Sequence, residues 1–304
     1  MTVRERLKKV REIRIPNAGP VVERTVALEL RHQVCPSASI REKAAASIDS
    51  QAGMFNVGVA GPSFQRTLGR LKLRIPKGKE WVFFGLDDNG SFWLLASRPA
   101  FLYAGLCDVL ENLLDEPARP LRRFRPMSFS VEKSTFDLFL TQYARLMRGF
   151  DRQEYIREYA RLGFTHIEVN ALAGPFPFEQ GSTVTGEFYP DFYTYAPALD
   201  QFVSSRLNQG LYPREYLEAN LARLKDNARL ALKFGLVPGL LCFEPRTVPE
   251  SFFEKYPTLR GARVDHPFRS FRPRYTLSLV HPAVRKHYAD LVRNLLRHVP
   301  ELGF

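Results

Sequence analysis

From Phe164 to Asn170 the residues alternate in character: His166, Glu168 and Asn170 are polar, Ile167 and Val169 apolar. In a strand, successive side chains point to opposite faces, so the imidazole, carboxylate and amide share one face. Such a set hydrogen-bonds a hydroxyl-rich ligand. Alternatively, it forms a hydrogen-bonded polar layer that touches no ligand. Asn170 comes last, at the carboxyl end of the strand, the end at which βα folds build their sites. Glu244 closes the next apolar run, Leu236 to Phe243, and is followed by Pro245 and Arg246. A carboxylate and a guanidinium at a strand end bind hydroxyls or an acidic group, or they close a loop salt bridge. Glu132 and Lys133 follow the short candidate strand Met127 to Val131 and hold the equivalent position.

Two segments mix aromatics with polar residues. Asp265 to Tyr275 carries His266 and Arg269 among phenylalanines and further arginines. Aromatic faces stack on rings and arginines bind oxyanions, so His266 and Arg269 are candidate binding residues. The segment packing on its own phenylalanines is the alternative. Phe176 to Tyr195 is equally aromatic, suiting a lid, a subsite wall or a surface that meets other protein.

The elements that must position these residues divide in two. Residues 1–122 read as a small α+β domain. Strands are expected at Val26–Leu30, Phe55–Val59, Leu71–Ile75, Trp81–Leu86 and Ser91–Ala96, with a hairpin turn at Asp88-Asn89-Gly90 and a helix over Ala100–Leu114. Ala118 to Pro126, with two prolines and four arginines, reads as a linker. Residues 123–304 then repeat strand, loop and helix. Helices are expected after Asp151, from Pro213 and from Pro282, with strands at Phe164–Asn170 and Leu236–Phe243. Gly163, Gly235 and Gly303 each follow a helix and precede apolar residues, the place where a left-handed glycine ends a helix. Long loops over 171–212 and 244–281 follow strand ends, the usual location of functional loops.

Composition narrows the classes. The hydrophobic fraction of 45% is enough for a real core. No apolar run reaches the roughly 18–20 residues of a membrane helix, and the basic N-terminus lacks a signal-peptide core, so a cytoplasmic, membrane-free protein is expected. Cys35, Cys107 and Cys242 are scattered without metal-ligand spacing, and the six histidines are dispersed, so neither a metal nor a cofactor is expected. The net charge of +12 comes from clusters in separate segments that match no nucleic-acid-binding motif, so nucleic acid is not an expected partner.

The hairpin followed by Ala-Ser-Arg-Pro-Ala-Phe-Leu-Tyr-Ala-Gly-Leu (96–106) resembles the end of the small domain preceding the barrel in glycoside hydrolase families 20, 67 and 84. Phe164-Thr-His-Ile-Glu-Val-Asn170 and Val237-Pro-Gly-Leu-Leu-Cys-Phe-Glu-Pro245 look like the opening βα units of that barrel. The resemblance implies an α/β protein: a small N-terminal α+β domain, then an incomplete (β/α)8 barrel of about three βα units. It implies a carbohydrate substrate, bound by Glu132, Lys133, His166, Glu168, Asn170, Glu244, Arg246, His266 and Arg269. The family's Asp-Glu pair follows the fourth barrel strand, so the catalytic acid is expected beyond Phe304, and exposed barrel edges would favour self-association. A carbohydrate-binding or assembly module on the same scaffold is the alternative.

Overall fold

Trp81–Leu86 and Phe92–Ala96 have no polar face, and both become strands of a sheet buried on two sides. The computed structural model describes residues 1–61, 64, 68–69, 71–72, 79–119, 121–127, 149–170, 172–173, 198–242, 248, 250–266 and 270–303, with the side chains of 46, 264–266 and 270–274 left aside. The described chain is a mixed α/β structure in two compact units. The first comprises Met1–Lys133, Gln153–Ile167 and Leu230–Val237; the second comprises Ser134–Arg152, Glu168–Arg229 and Pro238–Phe304.

The first unit is built on β1 (Glu12–Pro16), β2 (Ser39–Lys43), β3 (Met54–Val59), β4 (Glu80–Leu86), β5 (Phe92–Ala96) and β6 (Arg122–Met127), in the order β2-β1-β3-β5-β4-β6. The first four strands in that order run parallel, while β4 is antiparallel to β5 and β6. A short helix, α1 (Val3–Leu7), precedes β1; α2 (Val21–Gln33) and α3 (Pro99–Asp108) pack against each other and against the sheet. On one face Phe55, Phe84 and Phe92 form an aromatic group with centroids 5.6–6.1 Å apart. On the other, Trp81, Phe83, Trp93 and Leu95 pack with Ile48, Phe64, Leu68 and Leu71. Each strand therefore contributes alternate residues to two apolar layers, which is why the runs lack polar positions. Gly90, at φ +83°, makes the tight turn between β4 and β5 that Asn-Gly foretells.

Three expectations change. Val26–Leu30 is helix, not strand: Val22, Val26, Ala27 and Leu30 are fully buried at helical spacing within α2, and this amphipathic stripe outweighs the β-branched residues. The expected linker contains β6, whose arginines and Pro126 suit an edge strand paired on one side only. Its Phe124 stacks on Trp81 at 5.7 Å. Third, the 244–281 stretch holds a helix, Glu250–Lys255, and an antiparallel hairpin of Arg260–His266 with Ser270–Leu277 rather than one open loop. Of the strand expected at 71–75, Leu71 and Lys72 form a turn and the remainder lies outside the described residues.

The βα elements are α4 (Arg152–Arg161), β7 (His166–Glu168), α5 (Arg214–Lys233), β8 (Val237–Gly239), α6 (Glu250–Lys255), β9 (Arg260–His266), β10 (Ser270–Leu277) and α7 (Pro282–His298). Strands β7 and β8 pair, with Val237 N–H donating to Thr165 O at 2.9 Å and Val169 N–H to Gly239 O at 2.8 Å. Both bonds advance in the same direction along the two strands, so the pair is parallel. Gly163 and Gly235 take the left-handed conformation at φ +90° and +85°. At Gly235 a Cβ would stand 2.4 Å from Pro99 O, so no larger residue fits. Gly303 departs from the pattern. Helix α7 already ends at Val299 (φ −131°), because Pro300 bars its predecessor from helical geometry, and Gly303 N–H donates to Pro238 O at 2.9 Å.

Glu23, in the first turn of α2, is 2% exposed and accepts from Val59 N–H at 2.7 Å through Oε1, while Oε2 has no partner. Burial pushes its carboxyl from 4.5 up to about 7, against the opposing Val59 hydrogen bond. Between these values the folded chain holds a proton that the unfolded chain has released, so stability falls as pH rises from about 4.5 to about 7. The shift corresponds to about 3 kcal/mol at most. Urea unfolding of Glu23→Gln should gain on the parent by up to that amount across the window; parallel pH profiles for the two proteins would refute the assignment.

Candidate functional site

The strand end that carries the sequence-predicted residues is held by helix α5. Its apolar stripe, Leu224, Ala228 and Ala231, is fully buried, yet Asn220 and Asn227, seven residues apart, are equally buried. Asn227 Nδ2 donates to Val169 O at 3.2 Å, and its Oδ1 accepts from Arg152 Nη1 at 2.5 Å. Asn220 Oδ1 accepts from Ala173 N–H at 2.8 Å, and its Nδ2 donates to Gln201 O at 2.9 Å. Gln201 in turn takes Ala198 N–H at 2.7 Å and donates to the Tyr216 hydroxyl at 2.9 Å. Burial pushes that phenol up to about 12, so it stays a neutral hydrogen-bonding group. Two amides one helical face apart thus fix the backbone that leaves β7 at Val169 and Ala173.

The predicted residues of β7 divide by burial. Ile167 and Val169, on the apolar face, are fully buried. Glu168 and Asn170 share the opposite face and are buried too, at 3% and 4% exposure. His166 is half-buried, with Nδ1 2.8 Å from Thr165 Oγ1. Asn170 Oδ1 is enclosed and has no hydrogen-bond partner among the described residues. A second buried carboxylate, Asp200, lies 3.4 Å from the Tyr212 hydroxyl. A carboxylate and an open amide acceptor on one strand face can receive hydroxyl groups. Arg152 is held below its ordinary value, by burial first and then by Arg223, but remains cationic.

Glu132, Lys133, Glu244, Arg246 and Arg269 lie outside the described residues, as does the Phe176–Tyr195 segment. His266 ends strand β9, and its side chain is likewise outside them. The region around it forms the β9–β10 hairpin. At the base of that hairpin the Arg260 guanidinium sits between Phe253 and Tyr275, 4.8 and 4.5 Å from their centroids. Asn220, Asn227, Gln201 and Arg152 escape sequence reasoning. The available signal was the pair of asparagines interrupting an otherwise apolar helical stripe. Among the described residues no group of three or more metal-ligating side chains comes together, and no helix is long and apolar enough to cross a membrane.

No protein-family model matches the sequence, and no curated protein matches it. Solved structures do. A family 89 glycoside hydrolase from Clostridium perfringens, in complex with 2-acetamido-1,2-dideoxynojirmycin, superposes on 81% of this chain with a TM-score of 0.51 and 13% identity, using 29% of its own length. A family 138 glycoside hydrolase targeting pectin rhamnogalacturonan II superposes on 97% of this chain with a TM-score of 0.58 and 6% identity, using 30% of its own. A family 20 exo-β-N-acetylglucosaminidase from Vibrio harveyi reaches only 0.47 at 11% identity, covering 96% of this chain and 42% of its own. The chain therefore shares its fold with part of the family 89 and family 138 proteins. It spans under a third of the length of the family 89 and 138 proteins.

Replacing Asn227 with alanine removes the bonds to Val169 O and Arg152 and leaves buried partners unpaired. A loss of about 2–3 kcal/mol in chemical denaturation is expected. An unchanged midpoint would mean that these bonds do not hold the strand end.

Proposed function

We propose that the chain is a portion of a glycoside hydrolase that cleaves O-glycosidic bonds, and that it contributes saccharide-binding residues while the general acid comes from a segment outside it. The reading rests on one observation: the fold likeness to family 89 and family 138 glycoside hydrolases, the latter over 97% of the chain. Glycoside hydrolysis needs carboxyl groups on either side of an oxocarbenium-like transition state, mounted on a rigid frame.

In this reading β7 and β8 are neighbouring strands of a (β/α)8 barrel, preceded by a small α+β domain. The parallel pairing of β7 with β8 supports it, as does the bond from Gly303 N–H to Pro238 O, which brings the backbone after α7 to the edge of β8. About three βα units are present, too few for a closed barrel of roughly 250 residues. Glu168 and Asn170 then face the barrel interior, with Asn170 at the carboxyl rim, where it receives a sugar hydroxyl. Glu132, Lys133, Glu244, Arg246, His166, His266 and Arg269 are assigned to the same saccharide-binding set. The substrate is a carbohydrate. No cofactor is required, because protonation by a carboxylic acid and attack by water or a carboxylate suffice.

Saccharide binding without turnover is the expected behaviour of this chain. On a glycan array the parent should retain at least one oligosaccharide. Asn170→Ala should weaken that binding at least about tenfold, the effect of one buried hydrogen bond lost, with its thermal midpoint held or raised. A parent that retains no saccharide, or a variant that binds as well as the parent, would sink the reading.

A further inference from the structure

The first unit contains a cavity of about 370 Å³ whose polar lining is entirely cationic: Arg6, Lys9 and Arg119, above a floor that includes Val10 and Phe92. Arg6 projects from α1, Lys9 follows that helix, and Arg119 precedes β6. Gly90, the buried residue of the β4–β5 turn, lies next to both arginines. The point where a Cβ would stand on Gly90 is 3.0 Å from Arg6 Nη2 and 3.7 Å from Arg119 Nη2. Both guanidinium groups therefore reach the same glycine of this turn.

Neither arginine has an acidic partner among the described residues, although their neighbours do. Arg4 pairs with Asp115 at 3.3 Å, Arg123 with Glu116 at 3.7 Å and Arg125 with Asp108 at 3.7 Å. Arg11, whose Nη2 donates to Ala52 O at 3.3 Å, adds a fourth cation beside Gly53 at the cavity edge. Arg6 is held below its ordinary value, first by burial and then by the charge of Arg119. Two like charges pressed together without a counter-ion lose stability that a bound anion restores. Guanidinium groups are also the donors whose fork geometry matches planar or tetrahedral oxyanions.

We propose that this cleft is a binding site for an oxyanion-bearing ligand. Arg6 and Arg119 hold the anionic group, Lys9 adds charge at the mouth, and Val10 and Phe92 bound an apolar side. The site belongs to the leading unit and does not depend on the glycoside hydrolase reading. Two sources offer the same chemistry: a sulfate or phosphate group, and the carboxylate of a sugar acid.

Thermal unfolding of the full chain separates them. Sodium sulfate is compared with sodium chloride at equal ionic strength, and sodium galacturonate with galactose. Because sulfate stabilises folded proteins non-specifically, the readout is the difference between the parent and Arg119→Gln. The parent should gain about 2–4 °C more than the variant near ten times the dissociation constant. The variant should also be no less stable than the parent in chloride, since it relieves the Arg6–Arg119 repulsion. A variant-sensitive gain with sulfate, with galacturonate or with both supports the site, and the larger gain identifies the source. Equal gains in parent and variant with both anions would overturn it.

Discussion

The second unit depends on satisfying the backbone where β7 ends. A strand of three residues has few ladder bonds, and Val169, Asn170 and Leu172 after it are buried, so backbone groups there need other partners. Asn220 and Asn227 of α5 provide them, reaching Ala173 N–H and Val169 O across a helix–strand contact that is otherwise apolar. Each asparagine is itself fully used: Asn220 holds Gln201, and Asn227 is held by Arg152. The helix register, the course of the chain after β7 and the direction of Glu168 and Asn170 are therefore coupled. Such a network is strong when complete and costly when one member fails.

The first unit is secured by a different means. Its strands β4 and β5 are apolar on both faces and are held by burial. The edges are managed chemically: β6 carries three arginines and a proline, and β2 (Ser39–Lys43) is largely exposed and charged. Much of the +12 charge sits in this unit, and most of its described arginines are tied to carboxylates. Arg14, buried within β1, is the most enclosed of them, with Glu12 at 2.6 Å and Asp49 as a second partner. Ion pairing of this kind neutralises part of a basic surface.

What the sequence revealed follows from these physical differences. Strands β3, β4 and β5 and helices α3, α5 and α7 were legible because apolar runs and 3.6-residue stripes report burial directly. Helix α2 was misread because Val26 to Leu30 viewed alone is β-branched and aliphatic, and only the wider window from Val22 to Leu30 exposes its period of four. Strands β1 and β2 were hidden because their alternation is carried by Glu12, Arg14, Arg41 and Lys43, whose charges mask the pattern. Within the candidate site, the period-two face of His166, Glu168 and Asn170 could be read. The asparagines that position it could not, because a polar residue in an apolar stripe has no visible role until its backbone partner is known.

Buried acceptors without donors separate structural cost from chemical opportunity. Glu23 Oε2 and Asn170 Oδ1 are both enclosed and unpaired. A carboxylate can relieve that condition by taking up a proton, and Glu23 does so with its pKa moved to about 7. An amide oxygen has no such outlet. Asn56 and Asn208 also carry an unpaired atom, but the other amide atom of each is engaged, by Asp49 O and by Ser205 N–H. The oxygen of Asn170 thus differs from all three: it cannot titrate, and its side chain makes no compensating bond among the described residues. A buried acceptor in that state costs about 1–3 kcal/mol, a cost that a donated hydrogen bond relieves. A hydroxyl is the smallest group that supplies one without adding charge beside the buried Glu168.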